Sequence, residues 1–263
     1  MSGFTDIRDV VRDRYGAIAD GAQSGCSSGQ GACGCGGGAD AALAAIGYSA
    51  DQARAIPEGA NLGLGCGNPI AHAGVRKGET VLDLGSGAGI DAFLAAREVG
   101  PEGRVIGVDM TEAMIRRARR NAAEGGWTNV EFRLGEIEHL PVADGSVDLI
   151  ISNCVINLSP EKPAVFREAL RVLRPGGRMI VSDIVLLRPL PEAVRQSVDA
   201  YVGCVAGASL EEDYLRLIRE AGFEAIEVLE ERGFAAGDGQ DAAEAGAWDA
   251  VRSVKVRALK PAR

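Results

Sequence analysis

The chain has 263 residues, 46% of them hydrophobic, and a formal net charge of −9. A chain of this length can bury a sizeable core, either as one large α/β domain or as a domain with an appended lobe. Its acidic balance disfavours nucleic acid as a partner. Because the sequence shows neither a signal-peptide pattern nor an apolar run long enough to span a bilayer, we expect no membrane association and a cytoplasmic location.

The N-terminal segment combines one helical pattern with a long run of small residues. Apolar residues recur at helical spacing within residues 5–20, with charged residues between them, which predicts an amphipathic helix. Residues 21–40 are mostly Gly, Ser and Ala and contain Cys26, Cys33 and Cys35. This composition suits a mobile loop or lid that carries thiols, or a disordered linker in which the cysteines are incidental.

From Thr80 onward, short apolar runs alternate with helical patterns. This alternation predicts parallel βαβ units with right-handed crossovers, and therefore an α/β fold with a doubly wound, Rossmann-like sheet. Beyond Ile184 the alternation loosens into helical segments near 190–205 and 210–221 and two final strand-like runs. The predicted strands are TVLDL, RVIGVDM, NVEFRLG, VDLIISN, GRMIVSDIVL, FEAIEVLEE and VRSVKVRAL.

The motif DLGSGAG follows the first predicted strand and places three glycines in a strand-to-helix turn. Glycines in such a turn let the backbone approach a ligand closely. A dinucleotide site prefers a further glycine at the position that Ile90 occupies here. The next strand ends at Asp109, and an acid at that strand end can accept hydrogen bonds from both ribose hydroxyl groups. Together with Asp83 before the turn, these features predict a nucleoside-binding site.

Five motifs of the chain resemble those of the class I S-adenosylmethionine-dependent methyltransferases: VLDLGSGAG, GVDMTEAM, GEIEHLP, DLIISNCVINL and LRPGGRMIVSD. The resemblance implies that the glycine turn faces the methionine part of S-adenosylmethionine, that Asp109 holds the ribose and that Met110 packs on the adenine. It also implies that Asn153 lies beside the methionine part. The cofactor-binding residues implied in this way are Asp83, Gly85, Ser86, Gly87, Gly89, Asp109, Met110, Glu136, Ile137 and Asn153, with Glu136 and Ile137 at the far edge of the adenine.

Three cysteines occur near the ends of predicted strands. Cys154 directly follows the VDLIIS run, Cys204 comes after the fifth strand, and Cys66 lies in a Gly-Cys-Gly turn before the first strand. Ligands of open α/β sheets bind beyond the carboxyl ends of the strands, so the three thiols can converge beside the cofactor. The alternative for Cys154 and Cys204 is a small buried apolar side chain, as free cysteine often is.

The cysteines and histidines do not follow a zinc-binding pattern. In a reducing compartment cysteines are expected to be thiols, with catalytic, redox or ligand roles. Cys33 and Cys35 form a C-x-C pair, and neither His72 nor His139 lies near it, which disfavours zinc. Neither histidine lies in an obvious catalytic motif, so we expect both at surface or loop positions.

The motifs GLGCGNP, SNCVINLSPEK and YVGCVAGA, with the opening VRDRYGAIA, are similar to those of the arsenite methyltransferase family. The resemblance implies that Cys66, Cys154 and Cys204 bind trivalent arsenic as the substrate. It also implies that an N-terminal cysteine exchanges with Cys66, for which Cys33 and Cys35 are the candidates and Cys26 is less favoured. The implied reactants are S-adenosylmethionine, arsenite or its thiol conjugate, and a thiol reductant such as glutathione or thioredoxin.

The chemistry of such a site follows from the properties of arsenic. Trivalent arsenic is soft and prefers thiolates. Three sulfur ligands leave a lone pair that can attack the sulfonium methyl group in line, and no general base is needed because the arsenic carries no proton. We expect arsenite methylation in arsenic detoxification. The expected domains are an N-terminal helix with a mobile thiol-bearing segment (residues 1–75), the Rossmann-like S-adenosylmethionine-binding core (76–187), and a smaller C-terminal lobe that binds arsenic, caps the site and completes the sheet (188–263).

Two other functions are compatible with the sequence. One is a small-molecule C- or O-methyltransferase in which the cysteines are structural. The other is a thiol-based metalloid-binding protein with a vestigial nucleoside pocket. Blocking of the thiols separates the first from arsenite methylation, and titration with S-adenosylmethionine separates the second.

Overall fold

The computed structural model describes residues 6–21, 38–233 and 248–263. Within them, seven strands form one sheet: β1 (Thr80–Leu84), β2 (Arg104–Asp109), β3 (Val130–Leu134), β4 (Val147–Asn153), β5 (Leu173–Leu186), β6 (Glu224–Gly233) and β7 (Val251–Leu259). The strand order is β3-β2-β1-β4-β5-β7-β6. Strands β1 to β5 pair in parallel, whereas β7 pairs antiparallel with both β5 and β6.

Helices connect the strands and cover both faces of the sheet. In the described ranges they are α1 (Ile7–Ala19), α2 (Gly38–Ala45), α3 (Ala50–Ala55), α4 (Ile70–Ala73), α5 (Ile90–Val99), α6 (Glu112–Glu124), α7 (Lys162–Val172), α8 (Glu192–Arg195), α9 (Val198–Val202) and α10 (Glu211–Glu220), with 3-10 turns at Glu58–Ala60 and Ile156–Leu158. Every helix among these residues is too short or too polar to cross a lipid bilayer.

The central strands are apolar because both faces of the sheet are covered. Leu82 of β1 and Ile150 of β4 are fully buried and pack in the cluster that contains Phe166 of α7. Val81 of β1 packs in the opposite cluster, which contains Phe93 of α5. Two-sided burial explains why these strands read as continuous hydrophobic runs rather than as alternating patterns.

The strand order places the candidate site between β1 and β4. The chain moves outward from β1 to β2 and β3, and then returns to the other side of β1 as β4. In an open parallel sheet, ligands bind beyond the carboxyl ends of the strands at this reversal. Asp83, Asp109 and Asn153, which lie at or near the ends of their strands, therefore lie at one edge of the sheet.

The predicted elements agree with this architecture. All seven predicted strands are confirmed, and the amphipathic pattern within residues 5–20 corresponds to α1. Helix α2 begins at Gly38, inside the segment predicted as a loop, because the alanine-rich run that follows favours a helix. Strands β6 and β7, from the expected C-terminal lobe, extend the same sheet as β1 to β5. The boundaries of the expected domains stay a prediction.

Candidate active site

One cavity at the carboxyl edge of the sheet brings the two predicted sets of residues together. It is lined by residues of the nucleoside motifs and by cysteines from three separate parts of the chain. The predicted residues on its wall are Asp83, Gly85, Ser86, Gly87, Asp109, Met110, Ile137 and Asn153, together with Cys66, Cys154 and Cys204. The nucleoside motifs and the three cysteines therefore share one site.

The glycine turn after β1 forms one wall of the cavity. Gly85 has a φ of 66°, in the left-handed region, and a Cβ atom there would collide with the side chain of Val155. Glycine is needed at this position on both counts. The N–H group of Gly87 points across to the end of β2 and donates to Oδ2 of Asp109 at 3.0 Å. The turn and the acid therefore support one another.

Asp109 is held in place by backbone donors. Its Oδ1 atom accepts a hydrogen bond of 2.8 Å from the N–H of Thr111, and its Oδ2 accepts the bond from Gly87. Burial raises the pKa of Asp109, and these backbone hydrogen bonds oppose the rise. A carboxylate oxygen has two lone pairs, so each oxygen can still accept a hydrogen bond from a ligand.

Two buried carboxyl groups lie on the same wall as the glycine turn. Asp83 is 2% exposed, and its Oδ2 atom has no hydrogen-bond partner among the described residues. Burial raises the pKa of Asp83 well above its usual value, and the charges of Asp91 and Asp109 raise it further. Burial also raises the pKa of Asp91, to about 6. An orphaned buried oxygen beside a second carboxyl group suits a cationic ligand group, such as the ammonium of S-adenosylmethionine.

The sequence interpretation missed Asp91 and its partner Tyr48. Asp91 lies in the first turn of α5, where an acid is common, so it was not distinguished from a helix-start residue. One signal was available, because the helix around it is otherwise apolar and a buried acid needs a partner. Tyr48 lies between α2 and α3, and its hydroxyl group donates to Oδ1 of Asp91 at 2.7 Å. No motif surrounds Tyr48.

The sulfur atoms of Cys66 and Cys154 are joined in a disulfide whose Cα atoms lie 5.8 Å apart. The third thiol, Cys204, is 4% exposed and donates from Sγ to the carbonyl oxygen of Cys154 at 2.8 Å. Cys154 and Cys204 have φ angles of 59° and 65°. Residues other than glycine adopt this region rarely, and such backbone strain clusters at functional sites. The three cysteines converge, although they are distant in the sequence.

The N-terminal cysteines Cys26, Cys33 and Cys35 lie outside the described residues. The exchange of Cys66 with Cys33 or Cys35 therefore stays a prediction. In the described structure, the sulfur partner of Cys66 is Cys154. This pairing differs from the expectation that the cysteines are thiols, because the sequence indicates Cys154 as an arsenic ligand or a small buried side chain and only the fold brings it beside Cys66.

Two residues assigned to the cofactor by resemblance do not line the cavity. Gly89 caps the start of α5 with a φ of 104°, and a Cβ atom there would lie 2.6 Å from the ring of Phe93. Glu136 faces Arg12 of α1, with 3.8 Å between its Oε1 and the Nη2 of the arginine. In this segment the acid that lines the cavity is Glu138, two residues later, which is buried. The assignment of Gly89 and Glu136 to the cofactor stays a prediction.

Glu138 links the start of α1 to the cavity. Its Oε1 accepts a hydrogen bond of 2.5 Å from the hydroxyl group of Ser159 and lies 3.3 Å from Nη2 of Arg8. Arg8 and Tyr15, both on α1, also line the cavity, and the Tyr15 hydroxyl donates to the carbonyl oxygen of Val202 at 3.2 Å. Helix α1 therefore contacts the cavity both beside Glu138 and beside Val202.

A buried polar cluster lies directly behind the disulfide. A carboxylate oxygen of Asp183 and the sulfur atoms of Cys66 and Cys154 all lie within 4.8 Å of one another. Asp183 accepts hydrogen bonds from the Tyr214 hydroxyl at 3.0 Å and from Nδ2 of Asn157 at 2.8 Å. Burial raises its pKa to about 7. Asp183 was missed because it lies inside a strand motif and was interpreted as part of the fold.

The part of the cavity around Cys66, Cys154 and Cys204, here called the thiol end, is otherwise mostly apolar. Val11, Leu158 and Val205 are buried around the cysteines. Neither histidine lies on the cavity wall. His72 belongs to α4, where its Nε2 lies 3.1 Å from Oε2 of Glu230, and His139 is exposed. His72 is thus on a short helix at the surface rather than in a loop.

Comparison with known proteins identifies the family. A family model described as a methyltransferase domain matches residues 75–222. The arsenite methyltransferase of Halobacterium salinarum is 50% identical, over 98% of this chain and 68% of that protein. The human arsenite methyltransferase is 38% identical over 54% of this chain, and the matched part is 40% of the human protein. The chain therefore spans well under two thirds of its human relative.

A solved structure supports the same assignment. The arsenic(III) S-adenosylmethionine methyltransferase of Chlamydomonas reinhardtii is 39% identical and superposes with a TM-score of 0.66, over 85% of this chain and 73% of that one. A phosphoethanolamine N-methyltransferase of Haemonchus contortus, solved with S-adenosyl-L-methionine, shares the fold at 19% identity, with a TM-score of 0.58 over 75% of this chain and 53% of that one. From the matched domain and the identity along nearly the whole chain, this protein belongs to the arsenite methyltransferase family of S-adenosylmethionine-dependent methyltransferases.

Proposed function

We propose that this protein methylates trivalent arsenic with S-adenosylmethionine, and that Cys66, Cys154 and Cys204 hold the arsenic as thiolates. The observation that carries the proposal is the convergence of these three cysteines on the cavity that Asp109 and the glycine turn also line. Such an activity would convert arsenite into methylated products, a role in arsenic detoxification.

The described structure has the oxidised form of this site. While Cys66 and Cys154 share a disulfide, two of the three sulfur ligands are withdrawn from the arsenic. We infer that a thiol reductant, such as glutathione or thioredoxin, supplies two electrons and two protons and restores both thiols. The two restored thiols and that of Cys204 then each replace one hydroxyl group of arsenite, so three As–S bonds form and three water molecules leave.

The protein then has to hold the reactants in line. Three sulfur ligands from three chain segments fix the arsenic and leave its lone pair free. S-adenosylmethionine, when bound, supplies an electrophilic methyl group. Correct alignment of two reactants can account for about 7–11 kcal/mol of a barrier. The apolar side chains around the cysteines exclude water, and no residue has to accept a proton from the arsenic.

The part of the cavity around Asp109, here called the donor end, has residues that suit each part of S-adenosylmethionine. The backbone-anchored carboxylate of Asp109 can accept the ribose hydroxyl groups, and the side chains of Met110 and Ile137 offer apolar surface to the adenine. Asp83 and Asp91 suit the ammonium group of the methionine part. Asp83 has an oxygen without a described partner, which a bound cation would satisfy.

The test is product analysis after incubation with arsenite, a thiol and S-adenosylmethionine. Cys66→Ser, Cys154→Ser and Cys204→Ser should each abolish the first methylation, because a hydroxyl group is a poor ligand for a soft ion. All three variants should still bind S-adenosylmethionine, measured by isothermal titration. Full activity in the three single variants would contradict the proposal and favour a methyltransferase with structural cysteines.

A further inference from the structure

A chain of hydrogen bonds, buried at its Asp91 end and partly buried beyond it, connects the acidic wall of the cavity to the Cys66 turn. It begins at Asp91, which accepts from the Tyr48 hydroxyl group at 2.7 Å. Asn153 continues it, with Nδ2 lying 3.0 Å from the Tyr48 oxygen and 2.7 Å from the carbonyl oxygen of Gly67. On its other side, Oδ1 of Asn153 accepts from the N–H of Cys66 at 3.1 Å.

The hydrogen bonds between this chain and the Cys66 turn are made by backbone groups of the turn. Asn153 accepts from the backbone N–H of Cys66 and donates to the carbonyl of Gly67, and the Cys66 sulfur lies 3.9 Å from its Oδ1. The turn is also packed on the amide group, because a Cβ atom on Gly65 would lie 3.0 Å from Nδ2 of Asn153. Asn153 precedes Cys154 in the sequence. One amide group therefore contacts the Cys66 turn and adjoins Cys154, two of the three sulfur-bearing segments.

The side-chain nitrogen of Asn153 has fewer hydrogen atoms than there are acceptors around it. Its Nδ2 carries two hydrogens. Three acceptors lie within reach: the Tyr48 oxygen, the Gly67 carbonyl and Oδ2 of Asp91, the last at 3.2 Å. A ligand that donates to Asp91 would therefore free an Asn153 hydrogen for the carbonyl oxygen of Gly67.

We propose that Tyr48 and Asn153 are positioning residues that couple the donor's amino-acid subsite to the arsenic-binding turn, so that a bound donor raises the affinity of the reduced protein for arsenite. The inference rests on the proposed function. An ammonium group at Asp91 is a stronger donor than an amide. It satisfies that carboxylate and leaves both Asn153 hydrogens for the Tyr48 oxygen and the Gly67 carbonyl, which fixes the Cys66 turn.

The test measures the arsenite affinity of the protein twice, without and with saturating S-adenosylhomocysteine. This analogue has the ammonium group but no transferable methyl, so no product forms. The protein is kept reduced with a phosphine, since a dithiol would compete for arsenite. In the wild type we expect the analogue to raise the affinity about five-fold or more, a usual size for coupling between sites.

Tyr48→Phe separates the coupling from the binding itself. It removes one hydroxyl group and leaves the ring, so the second Asn153 hydrogen loses its neutral acceptor and stays on Asp91. The expected factor falls below about two-fold. Tyr201→Phe is the matched control, because it also loses one hydrogen bond, from its hydroxyl to the Leu158 carbonyl, but lies outside the chain of bonds. It should keep the wild-type factor.

Titration with 5′-methylthioadenosine tests whether the amino-acid part of the donor causes the change in arsenite affinity. This compound has the nucleoside but no amino-acid part, and the proposal expects it to leave the arsenite affinity unchanged. A wild-type factor of one, an unchanged factor in Tyr48→Phe, or an equal loss in Tyr201→Phe would overturn the coupling and leave the proposed function intact. A reduced wild-type protein that binds no arsenite at all would overturn both.

Discussion

The two ends of the cavity are built in different ways. The centre of the donor end comes from one stretch of the chain, in which the glycine turn after β1 and the acid at the end of β2 are joined by a backbone hydrogen bond. The thiol end is assembled from three distant segments, with a disulfide that spans 88 residues and two cysteines at positive φ. One end is fixed by local geometry, and the other depends on long-range packing and on redox state.

This difference has a chemical consequence. In the proposed arsenic site, oxidation of Cys66 and Cys154 would remove two of the three sulfur ligands, whereas the hydrogen bonds that hold Asp109 come from Gly87 and Thr111. The donor end should therefore remain competent in a protein whose thiol end is blocked. Changes confined to one end should therefore affect one ligand and spare the other.

The largest effect concerns oxidation. With the Cys66–Cys154 disulfide intact, we expect arsenite binding to be lost. The affinity for S-adenosylhomocysteine should change by less than about two-fold, which corresponds to less than about 0.5 kcal/mol. Titration of oxidised and phosphine-reduced protein with each ligand checks this. Tight arsenite binding by fully oxidised protein, with the thiols counted, would contradict the division.

The reciprocal effect concerns the donor end. Asp109→Ala removes a carboxylate anchored by two backbone donors, and a hydrogen bond to a charged group contributes about 1.5–3 kcal/mol. We expect the affinity for S-adenosylhomocysteine to fall by about 10- to 100-fold. The arsenite affinity of the reduced variant, measured without donor, should match the wild type. An unchanged donor affinity would remove Asp109 from the ribose role.

A smaller effect is a pH-dependent stability at the acidic wall. Burial raises the pKa of Asp91 from 3.8 to about 6, so the unfolded chain releases this proton at lower pH than the folded protein does. The free energy of unfolding therefore falls as the pH rises from about 4 to about 6, by at most about 3 kcal/mol from this group. Asp91→Asn lacks this contribution.

Urea unfolding of reduced wild-type protein and Asp91→Asn across that pH range gives the measurement. The stability of the wild type relative to the variant should decrease as the pH rises. Because the charge of Asp91 raises the pKa of Asp83, the difference between the two curves reports the two carboxyl groups together. A difference that stays constant from pH 4 to pH 7 would show that Asp91 is not shifted upward.

The smallest effect concerns the glycine turn. In Gly85→Ala, the alanine has to adopt a positive φ, and its Cβ atom collides with the side chain of Val155. We expect a loss of about 1–3 kcal/mol in the free energy of unfolding. Gly126→Ala is the matched control, since Gly126 has a φ of 68° but no atom within 4 Å of the added Cβ. Equal losses in the two variants would mean that backbone strain alone, and not the packing against Val155, sets the cost.

The contrast between the two ends also explains what the sequence could predict. The strands and the residues of the glycine turn were predictable because burial on both faces and turn geometry leave local patterns. The donor-end residue Asp91 was not, because an acid at a helix start has an ordinary meaning that hides its burial. Tyr48 was missed because its role comes only from a tertiary contact with Asp91.

At the thiol end the sequence indicated the cysteines but not their arrangement. The motifs placed Cys66, Cys154 and Cys204 near the same edge of the sheet, whereas the pairing of Cys66 with Cys154 depends on how the Cys66 turn folds over β4. That fold is held by Asn153, whose amide contacts both the turn and Tyr48. Contacts between segments this far apart leave no periodic signal in the sequence.

The central claim is that three cysteine sulfur atoms hold the arsenic at the cavity. Arsenic X-ray absorption spectroscopy on phosphine-reduced protein with one equivalent of arsenite tests it most directly. We predict a first shell of three sulfur atoms in the wild type, and of two sulfur atoms and one oxygen in Cys204→Ser. A wild-type shell dominated by oxygen, or three sulfur atoms that persist in Cys204→Ser, would contradict the account.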